Sequence, residues 1–212
     1  MSGVYLITDR RRSRGRTVEE VVAAAVAGGV GWVQIREKDL PTGALIALVR
    51  SALVRSGTAR VIVNDRVDVA LATGCHGVHL GASSLPVAAV KRMAPSLTVG
   101  YSAHGLDEAL AAEGDGAGYV FFSPIYPTRS KGAMTGAAQG VGMLARVCSA
   151  LKIPVYALGG ITPSRVGEAL AAGAAGVAVV SAITEAADVE KASRDLVERY
   201  KLFQAERQER KP

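Results

Sequence analysis

The sequence predicts a closed barrel of eight parallel strands, each followed by a helix, on the basis of three observations. Strand-like and helix-like segments alternate along the 212 residues, which is the pattern of β/α units around a parallel sheet. Four helix ends carry a glycine, and a second glycine directly precedes the next strand. The length suits one large domain near the lower limit for this architecture. We therefore predict a single (β/α)8 TIM barrel, with an open doubly wound sheet as the alternative.

The predicted strands are short runs of apolar and β-branched residues bounded by turn residues. They cover residues 4–8, 32–37, 60–64, 77–80, 98–102, 119–123, 154–158 and 176–181. The intervening helices are amphipathic or alanine-rich, over residues 17–27, 43–56, 85–93, 106–113, 141–151 and 163–172, with a last helix over 187–201. Thr17 and Glu20 fit a capping box, and Pro163 suits a first helical turn. We expect one domain over residues 1–202 and a polar, flexible tail over 203–212.

The glycine pairs form an internal repeat. They lie at residues 27–32, 73–78, 113–119 and 172–177, just before the second, fourth, sixth and eighth predicted strands. One glycine ends the helix, and the other precedes a buried strand. The repeating unit is therefore a pair of β/α modules, present four times around the ring.

Composition narrows the classes of function. The formal net charge of +6 comes largely from five arginines at positions 10–16 and from the polar tail. No aromatic residues interleave with those arginines, so we interpret them as a solvated loop rather than as a nucleic-acid surface. No segment has the length or pattern of a membrane span or a signal peptide. Cys75 and Cys148 have no C-x-x-C partner, which favours a reduced, cytoplasmic setting.

The second strand predicts a binding site for an anion. Its side chains alternate, so Gln34, Arg36 and Lys38 share one face while the residues between them share the other. Strands of a parallel barrel are normally apolar on both faces. Because burying unpaired charge is costly, two cations on one face indicate a ligand or a counter-charge.

Other polar residues lie where predicted strands end, which is where barrels of this class build their active sites. Asp65 follows the third strand and is the candidate Mg²⁺ ligand, because Mg²⁺ commonly uses one or two carboxylates together with phosphate oxygens. An Asp in this position also suits a helix cap. His79 lies inside the fourth strand and is predicted to be a packed histidine, and a functional role for His104 is left open.

Two segments predict phosphate binding. Gly159 and Gly160 form a turn after the seventh strand, close to Val180 and Ser181 after the eighth. Backbone N–H groups in these two places commonly hold a phosphate in this fold. The loop over residues 124–132 adds two hydroxyls and two cations, which suit a second phosphate or a diphosphate.

Eight segments, taken in order, resemble the thiamine phosphate synthase family and its relative, thiazole tautomerase. They are YLITD at 5–9, VQIREK at 33–38, VNDR at 63–66, GVHLG at 77–81, YSAH at 101–104, SPIYPTRSK at 123–131, ALGGI at 157–161 and VVSAI at 179–183. The resemblance covers residues 3–185 and is closer to the synthase. Each segment alone is weak, but their order and their positions at strand ends are specific.

The resemblance implies a transferase that forms a C–N bond. It would join a hydroxymethylpyrimidine diphosphate to a thiazole phosphate, with Mg²⁺ assisting a dissociative departure of diphosphate. The implied pyrimidine diphosphate ligands are Gln34, Arg36, Lys38, Asn64 and Lys131, with Ser102 beside the pyrimidine and Asp65 on Mg²⁺. The implied thiazole phosphate contacts are Thr128, Arg129, Ser130, Gly160, Val180 and Ser181. Arg36, Lys38, Lys131 and Ser102 receive the catalytic roles. The expected partners are these two small molecules, with no nucleic acid or membrane, and a homo-oligomer is left open.

One departure from the family pattern keeps alternatives open. The synthase motif after the fourth strand reads His-Leu-Gly-Gln-x-Asp and supplies a second carboxylate for Mg²⁺, where this chain has Ser84. We therefore expect weaker Mg²⁺ binding. The alternatives are a thiazole tautomerase, which needs neither metal nor diphosphate, and a non-catalytic regulator that binds a phosphate ligand. Pro124, where the tautomerase branch carries a histidine, and the PTRSK loop favour the synthase.

Overall fold

The structure is a computed structural model that describes residues 3–128 and 138–209, and it contains the predicted barrel. Its strands are β1 (Val4–Ile7), β2 (Trp32–Ile35), β3 (Arg60–Asn64), β4 (Gly77–Leu80), β5 (Thr98–Ala103), β6 (Tyr119–Phe122), β7 (Val155–Leu158) and β8 (Gly176–Val179). Each strand pairs in parallel with the next, and β1 also pairs with β8, which closes the sheet. The eight-stranded barrel is confirmed, and the open sheet is not observed.

The helices of the described residues surround the barrel. They are α1 (Val18–Ala27), α2 (Thr42–Arg55), α3 (Val67–Thr73), α4 (Val87–Met93), α5 (Leu106–Gly114), α6 (Gly140–Ala150), α7 (Val166–Ala171), α8 (Ser181–Thr184) and α9 (Val189–Glu209). Thr17 caps α1, and the capping box with Glu20 is formed in both directions. None of these helices combines the length and apolar character needed to cross a membrane.

Several boundaries differ from the prediction. The β2 strand ends at Ile35 rather than at Glu37, so Arg36 and Lys38 follow the strand instead of lying in it. The α3 helix has only seven residues, too few for a clear periodic signal, and it was not predicted. The last strand ends at Val179 rather than at Ser181, because the chain turns into α8 and thereby buries Ile183. The final helix continues past the predicted end at residue 201 to Glu209, with Phe203 packed against the core. The described part of the predicted tail is thus helical, and its flexibility stays a prediction.

Alternation along the strands produces two apolar layers. One set of side chains packs outward against the helices and includes Val33, Ile35 and Phe122. The other set fills the barrel interior and is rich in aromatic residues. The interior set comprises Tyr5, Ile7, Ile62, Tyr119, Phe121, Tyr156 and Ala178, with Trp32, Leu158 and Val180 packed against it. The polar face of β2 points toward this interior, as predicted, because Gln34 lies between the outward-facing Val33 and Ile35.

The glycine repeat has a conformational cause. Gly29, Gly74, Gly116 and Gly173 adopt positive φ angles of 93°, 66°, 97° and 98° at the four predicted helix ends. A side chain is strained in this left-handed region, so glycine suits these turns.

Gly100→Ala is expected to destabilise the barrel. A Cβ at Gly100 would lie 2.1 Å from Cζ of Tyr119, which fills the interior beside β5. Overpacking at such a site costs about 1–3 kcal/mol in the free energy of unfolding, which urea denaturation measures. Gly43→Ala in α2 is the matched control, because no atom lies within 4 Å of a Cβ there. Equal stability of the two variants would contradict the packing described here.

Candidate active site

A cavity of about 310 Å³ opens at the C-terminal end of the barrel, where the fold places active sites. Every strand, or a residue just after it, contributes to its wall. The cavity brings together many of the predicted residues: Gln34, Arg36, Lys38, Asn64, Asp65, Ser102 and Val180. Ser84, at the departure from the family pattern, also lines it.

A polar segment, formed by Gln34 on β2 and by Arg36 and Lys38 just beyond its end, supplies a buried amide and two cations. Gln34 is 1% exposed, and its Nε2 donates to Oδ1 of Asn64 at 2.9 Å. Its Oε1 is buried and has no hydrogen-bond partner among residues 3–128 and 138–209. Arg36 and Lys38 line the same cavity, and no salt bridge within those ranges engages either of them. An unpaired acceptor beside two unpaired cations indicates a polar, anionic ligand.

The outward-facing Glu37 anchors the end of this strand. Thr8 Oγ1 donates to Glu37 Oε1 at 2.7 Å, and the Arg10 backbone N–H donates to its Oε2 at 3.1 Å. Thr8 Oγ1 also accepts from the Arg36 backbone N–H at 3.0 Å. These bonds fix the Glu37 side chain and the Arg36 backbone, and thereby help to direct the neighbouring cations into the cavity. Period-two patterning predicts that Glu37 faces away from the site, but it gives no sign of these distant partners.

Glu37→Ala is expected to destabilise the segment that carries Arg36 and Lys38. The substitution leaves the Thr8 hydroxyl and the Arg10 N–H without their acceptor, at a cost of about 1–3 kcal/mol in the free energy of unfolding. It is also expected to weaken diphosphate binding, measured by calorimetry, because Arg36 and Lys38 lose their fixed directions. Asp39→Ala is the control, since it removes an exposed carboxylate bound to the same Arg10. Diphosphate affinity equal to wild type in Glu37→Ala would contradict this role.

The arginine-rich segment lies at the surface, as predicted, and is in addition bound to neighbouring loops. Arg10 donates to both carboxylate oxygens of Asp39, at 2.5 and 2.9 Å, and this hydrogen bonding lowers the pKa of Asp39 to about 2. Arg12 pairs with Glu185 at 2.5 Å, beyond α8. Arg16 Nη2 donates to the backbone carbonyl of Ala186 at 2.5 Å. The segment therefore ties the loop after β1 to the loops after β2 and β8.

Asp65 has the features of a ligand-binding carboxylate. It lines the cavity, and no hydrogen bond or salt bridge to its carboxylate is present in the described part of the chain. Its backbone has a φ of 66°, uncommon for a residue with a side chain, and its N–H donates to the His79 carbonyl at 2.9 Å. Strained backbone of this kind concentrates at functional sites.

The oxygen atoms that the protein offers in the cavity suit Mg²⁺ only when a phosphorylated substrate supplies further oxygens. No group of three or more His, Cys, Asp or Glu side chains that could hold a metal occurs among the described residues. Asp9 and Asp65 both line the cavity, and Ser84 Oγ accepts from the Gly81 N–H at 2.8 Å. One or two carboxylates with substrate phosphate oxygens and water form a usual Mg²⁺ site. The residues present therefore fit Mg²⁺ bound jointly with a phosphorylated substrate.

A smaller recess of about 30 Å³ lies beside the main cavity, between the loops after β7 and β8. Gly159, Gly160, Val180 and Ser181 line it, so the structure brings together residues predicted to bind a phosphate. The φ of Gly160 is 65°, and a Cβ there would lie 2.8 Å from the Pro127 carbonyl oxygen. Only glycine therefore fits this close approach of two loops. Thr128 is half-buried, and Arg129, Ser130 and Lys131 lie outside the described residues.

The histidines have structural partners. His79 is buried, as predicted, and its Nε2 lies 2.8 Å from Ser102 Oγ while its Nδ1 lies 3.2 Å from the Tyr119 hydroxyl. Burial, with a smaller contribution from Arg36, lowers the pKa of His79 to about 3, so the ring is neutral at pH 7. His104 Nδ1 donates to the carbonyl of Ser123 at 2.7 Å. His79 therefore presents a neutral imidazole at the floor of the cavity.

Comparison with known proteins matches most of the chain to one family. The family model described as thiamine monophosphate synthase matches residues 4–183, which include every strand and the loops that line the site. The chain belongs to this family. A thiamine-phosphate synthase of Chloroflexus aurantiacus is 43% identical, with 91% of this chain and 90% of that protein covered. One of Methanoculleus marisnigri is 40% identical, with 96% and 97% covered. The solved structure of thiamine phosphate pyrophosphorylase from Pyrococcus furiosus is similar, with a TM-score of 0.86, 37% identity, and 94% of this chain and 96% of that chain covered.

Proposed function

We propose that the protein synthesises thiamine phosphate. It joins 4-amino-2-methyl-5-(diphosphooxymethyl)pyrimidine to a thiazole phosphate and releases diphosphate. The observation that carries the proposal is the polar segment of Gln34, Arg36 and Lys38. It places in the barrel mouth an amide oxygen without a hydrogen-bond partner and two cations without a salt bridge among the described residues, in a chain that belongs to the synthase family. An aminopyrimidine diphosphate carries the matching groups, an exocyclic N–H donor and a polyanion.

The cations bind the leaving group. Arg36 presents a planar fork of N–H donors that matches phosphate oxygens, and Lys38 adds a second positive charge at the rim. Lys131 is proposed to complete this set from the loop after β6. Diphosphate departs readily only when its developing negative charge is neutralised, so these side chains lower the barrier to C–O bond cleavage.

Asp65 is the proposed Mg²⁺ ligand, with Ser84 in place of a second carboxylate. When bound, Mg²⁺ supplies Lewis-acid stabilisation of charge on the diphosphate oxygens. Because one carboxylate is replaced by a hydroxyl already bonded to the Gly81 N–H, we propose that the metal depends on substrate oxygens for much of its coordination.

The phosphate of the second substrate is proposed to reach the neighbouring recess, with the rest of that substrate in the main cavity. Backbone groups at Gly160, Val180 and Ser181 are proposed to bind the thiazole phosphate, together with Thr128, Arg129 and Ser130 from the loop after β6. Val180 lines both the recess and the main cavity, which makes the two spaces adjacent. The thiazole is thereby held beside the pyrimidine methylene carbon.

Cleavage of the C–O bond and attack by the thiazole nitrogen require orientation of the two substrates more than proton transfer. Departure of diphosphate leaves a pyrimidinylmethyl cation, and the lone pair of the thiazole nitrogen forms the new C–N bond. Gln34, Asn64 and Ser102 are proposed to hold the pyrimidine in place. The lowered pKa of His79, about 3, makes its ring a weak base, which agrees with a step that requires no general base at the cavity floor.

Three incubations test the proposal. Purified protein receives both substrates with Mg²⁺, the thiazole phosphate alone, or both substrates with a metal chelator, and thiamine phosphate is measured by fluorescence after oxidation. We expect product only in the first. Ser84 is the observation that favours thiazole tautomerase as the second candidate. Isomerised thiazole phosphate in the second incubation, without product in the first, would replace the synthase with that activity. Tight binding of thiazole phosphate without turnover would instead indicate a regulator.

The remaining assignments follow from the same proposal. The unpaired cysteines, Cys75 and Cys148, support a cytoplasmic location. A homo-oligomer remains a prediction, which light scattering on the purified protein would test.

A further inference from the structure

A chain of four polar side chains runs from the closed interior of the barrel to the cavity. The hydroxyls of Tyr5 and Tyr119 are 2.8 Å apart, and the Tyr119 hydroxyl lies 3.2 Å from His79 Nδ1. His79 Nε2 then lies 2.8 Å from Oγ of Ser102, which lines the cavity. Tyr5, Tyr119 and His79 are each no more than 3% exposed, whereas Ser102 is half-buried.

Packing fixes the members of this chain in place. The His79 ring stacks on Phe121 with a centroid distance of 4.1 Å. The Tyr5 ring contacts Trp32, Tyr119, Phe121 and Tyr156, with centroids 4.7–5.8 Å apart. Burial raises the pKa of both phenols and lowers that of His79, so each of the three groups carries one hydrogen-bonding proton at neutral pH.

These three protons can be ordered in two directions. In the outward order, Tyr5 donates to Tyr119, Tyr119 donates to His79 Nδ1, and His79 Nε2–H donates to Ser102 Oγ. In the inward order, Ser102 donates to His79 Nε2, His79 Nδ1–H donates to Tyr119, and Tyr119 donates to Tyr5. The hydroxyl proton of Tyr5 then has no acceptor within this chain of side chains. The only hydrogen bond of the Tyr5 hydroxyl within the described residues is the one to Tyr119. Because an unpaired buried donor is costly, the outward order is favoured by about tenfold or more.

We propose that Tyr5, Tyr119 and His79 fix Ser102 as a hydrogen-bond donor toward the cavity. In the outward order, Ser102 Oγ accepts from His79, so its own proton is free to reach a ligand. An acceptor atom, such as a ring nitrogen without hydrogen, can then be bound at this point, whereas in the inward order that proton is used on His79 and Ser102 can only accept. His79 and Tyr119 are positioning residues in this account, since neither reaches the ligand. Only the identity of the acceptor, an atom of the aminopyrimidine, rests on the proposed function.

The tautomer of His79 tests the direction of the chain without any substrate. Long-range ¹H–¹⁵N correlation spectra distinguish the two neutral tautomers, and His79→Gln assigns the signals. The protein is expected to show a protonated Nε2 and an unprotonated Nδ1 at pH 7. A protonated Nδ1 would overturn the proposal. Because no turnover is involved, this result is independent of whether the protein couples the two substrates.

Tyr119→Phe is the variant that removes the constraint, and Tyr156→Phe is its matched control. Both remove one phenol from the same aromatic cluster, but Tyr156 lies outside the chain of hydrogen bonds. Tyr119→Phe is expected to give mixed tautomers and to raise KM for the pyrimidine diphosphate about tenfold, with a smaller change in kcat. Tyr156→Phe is expected to keep both at wild-type values. Equal KM values in the two variants would overturn the positioning role, and if Tyr119→Phe fails to fold, the wild-type spectrum still decides the direction.

Discussion

Arg36→Ala is expected to lower kcat/KM for thiamine phosphate formation by about 10²–10³-fold. Arg36 follows β2 directly, and it lines the cavity without a salt-bridge partner among the described residues. Its removal takes away one of the cationic groups proposed to stabilise the charge on departing diphosphate, together with the planar fork of donors that only Arg36 supplies in this cavity. Steady-state kinetics with both substrates at fixed Mg²⁺ measure the loss.

Two variants distinguish binding of the leaving group by Arg36 from a general effect of positive charge. Arg60→Ala removes a guanidinium at the other end of the barrel, where it lies 5.3 Å from the Trp32 ring, and it should leave kcat/KM near wild type. Arg36→Lys keeps the charge but loses the planar fork, so an intermediate value is expected. Activity of Arg36→Ala within threefold of wild type would show that β2 does not bind the leaving group.

Asp65→Asn is expected to produce the second large effect, a loss of about a hundredfold in kcat/KM at low Mg²⁺. The amide keeps the size of the side chain but removes the negative charge that the metal needs. A Mg²⁺ titration of coupling activity measures the change, with higher Mg²⁺ partly restoring the rate. Asp68→Asn is the control, because that carboxylate pairs with Arg66 and does not line the cavity.

Ser84→Asp tests the missing second carboxylate by adding a carboxylate, whereas Asp65→Asn removes one. An Asp at this position still accepts the Gly81 N–H and adds a charge at the cavity wall. The Mg²⁺ concentration for half-maximal activity should therefore fall below the wild-type value. An unchanged Mg²⁺ requirement in both Asp65→Asn and Ser84→Asp would place the metal elsewhere.

Much of the fold was predictable because its signals are local. The eight strands come from short apolar runs, and the glycine repeat reflects backbone angles that one residue type favours. The polar face of β2 follows from a period of two within six residues. The α3 helix was missed because seven residues carry too little periodicity. The end of β8 was placed too late because the apolar run through Ile183 is equally compatible with a strand.

The supporting contacts of the site were not predictable, because they join residues that are distant in sequence. Glu37 and Thr8 meet only after β1 and β2 pair, and the sequence separation is 29 residues. Tyr119 reaches His79 across the barrel interior because Gly100, its register partner on β5, has no side chain. The positive φ of Asp65 likewise has no sequence signal, since Asp is common at turns and caps. Patterning therefore identifies which side chains face the site, whereas the barrel's register determines what orients them.

The most direct test of the central claim is one ³¹P NMR time course with purified protein, the pyrimidine diphosphate, the thiazole phosphate and Mg²⁺. The account predicts that the diphosphate ester signals disappear while free diphosphate and thiamine phosphate appear in equal amounts, and that omission of the thiazole phosphate stops thiamine phosphate formation. Persistence of the diphosphate ester signals while the thiazole phosphate is isomerised or merely bound would contradict it.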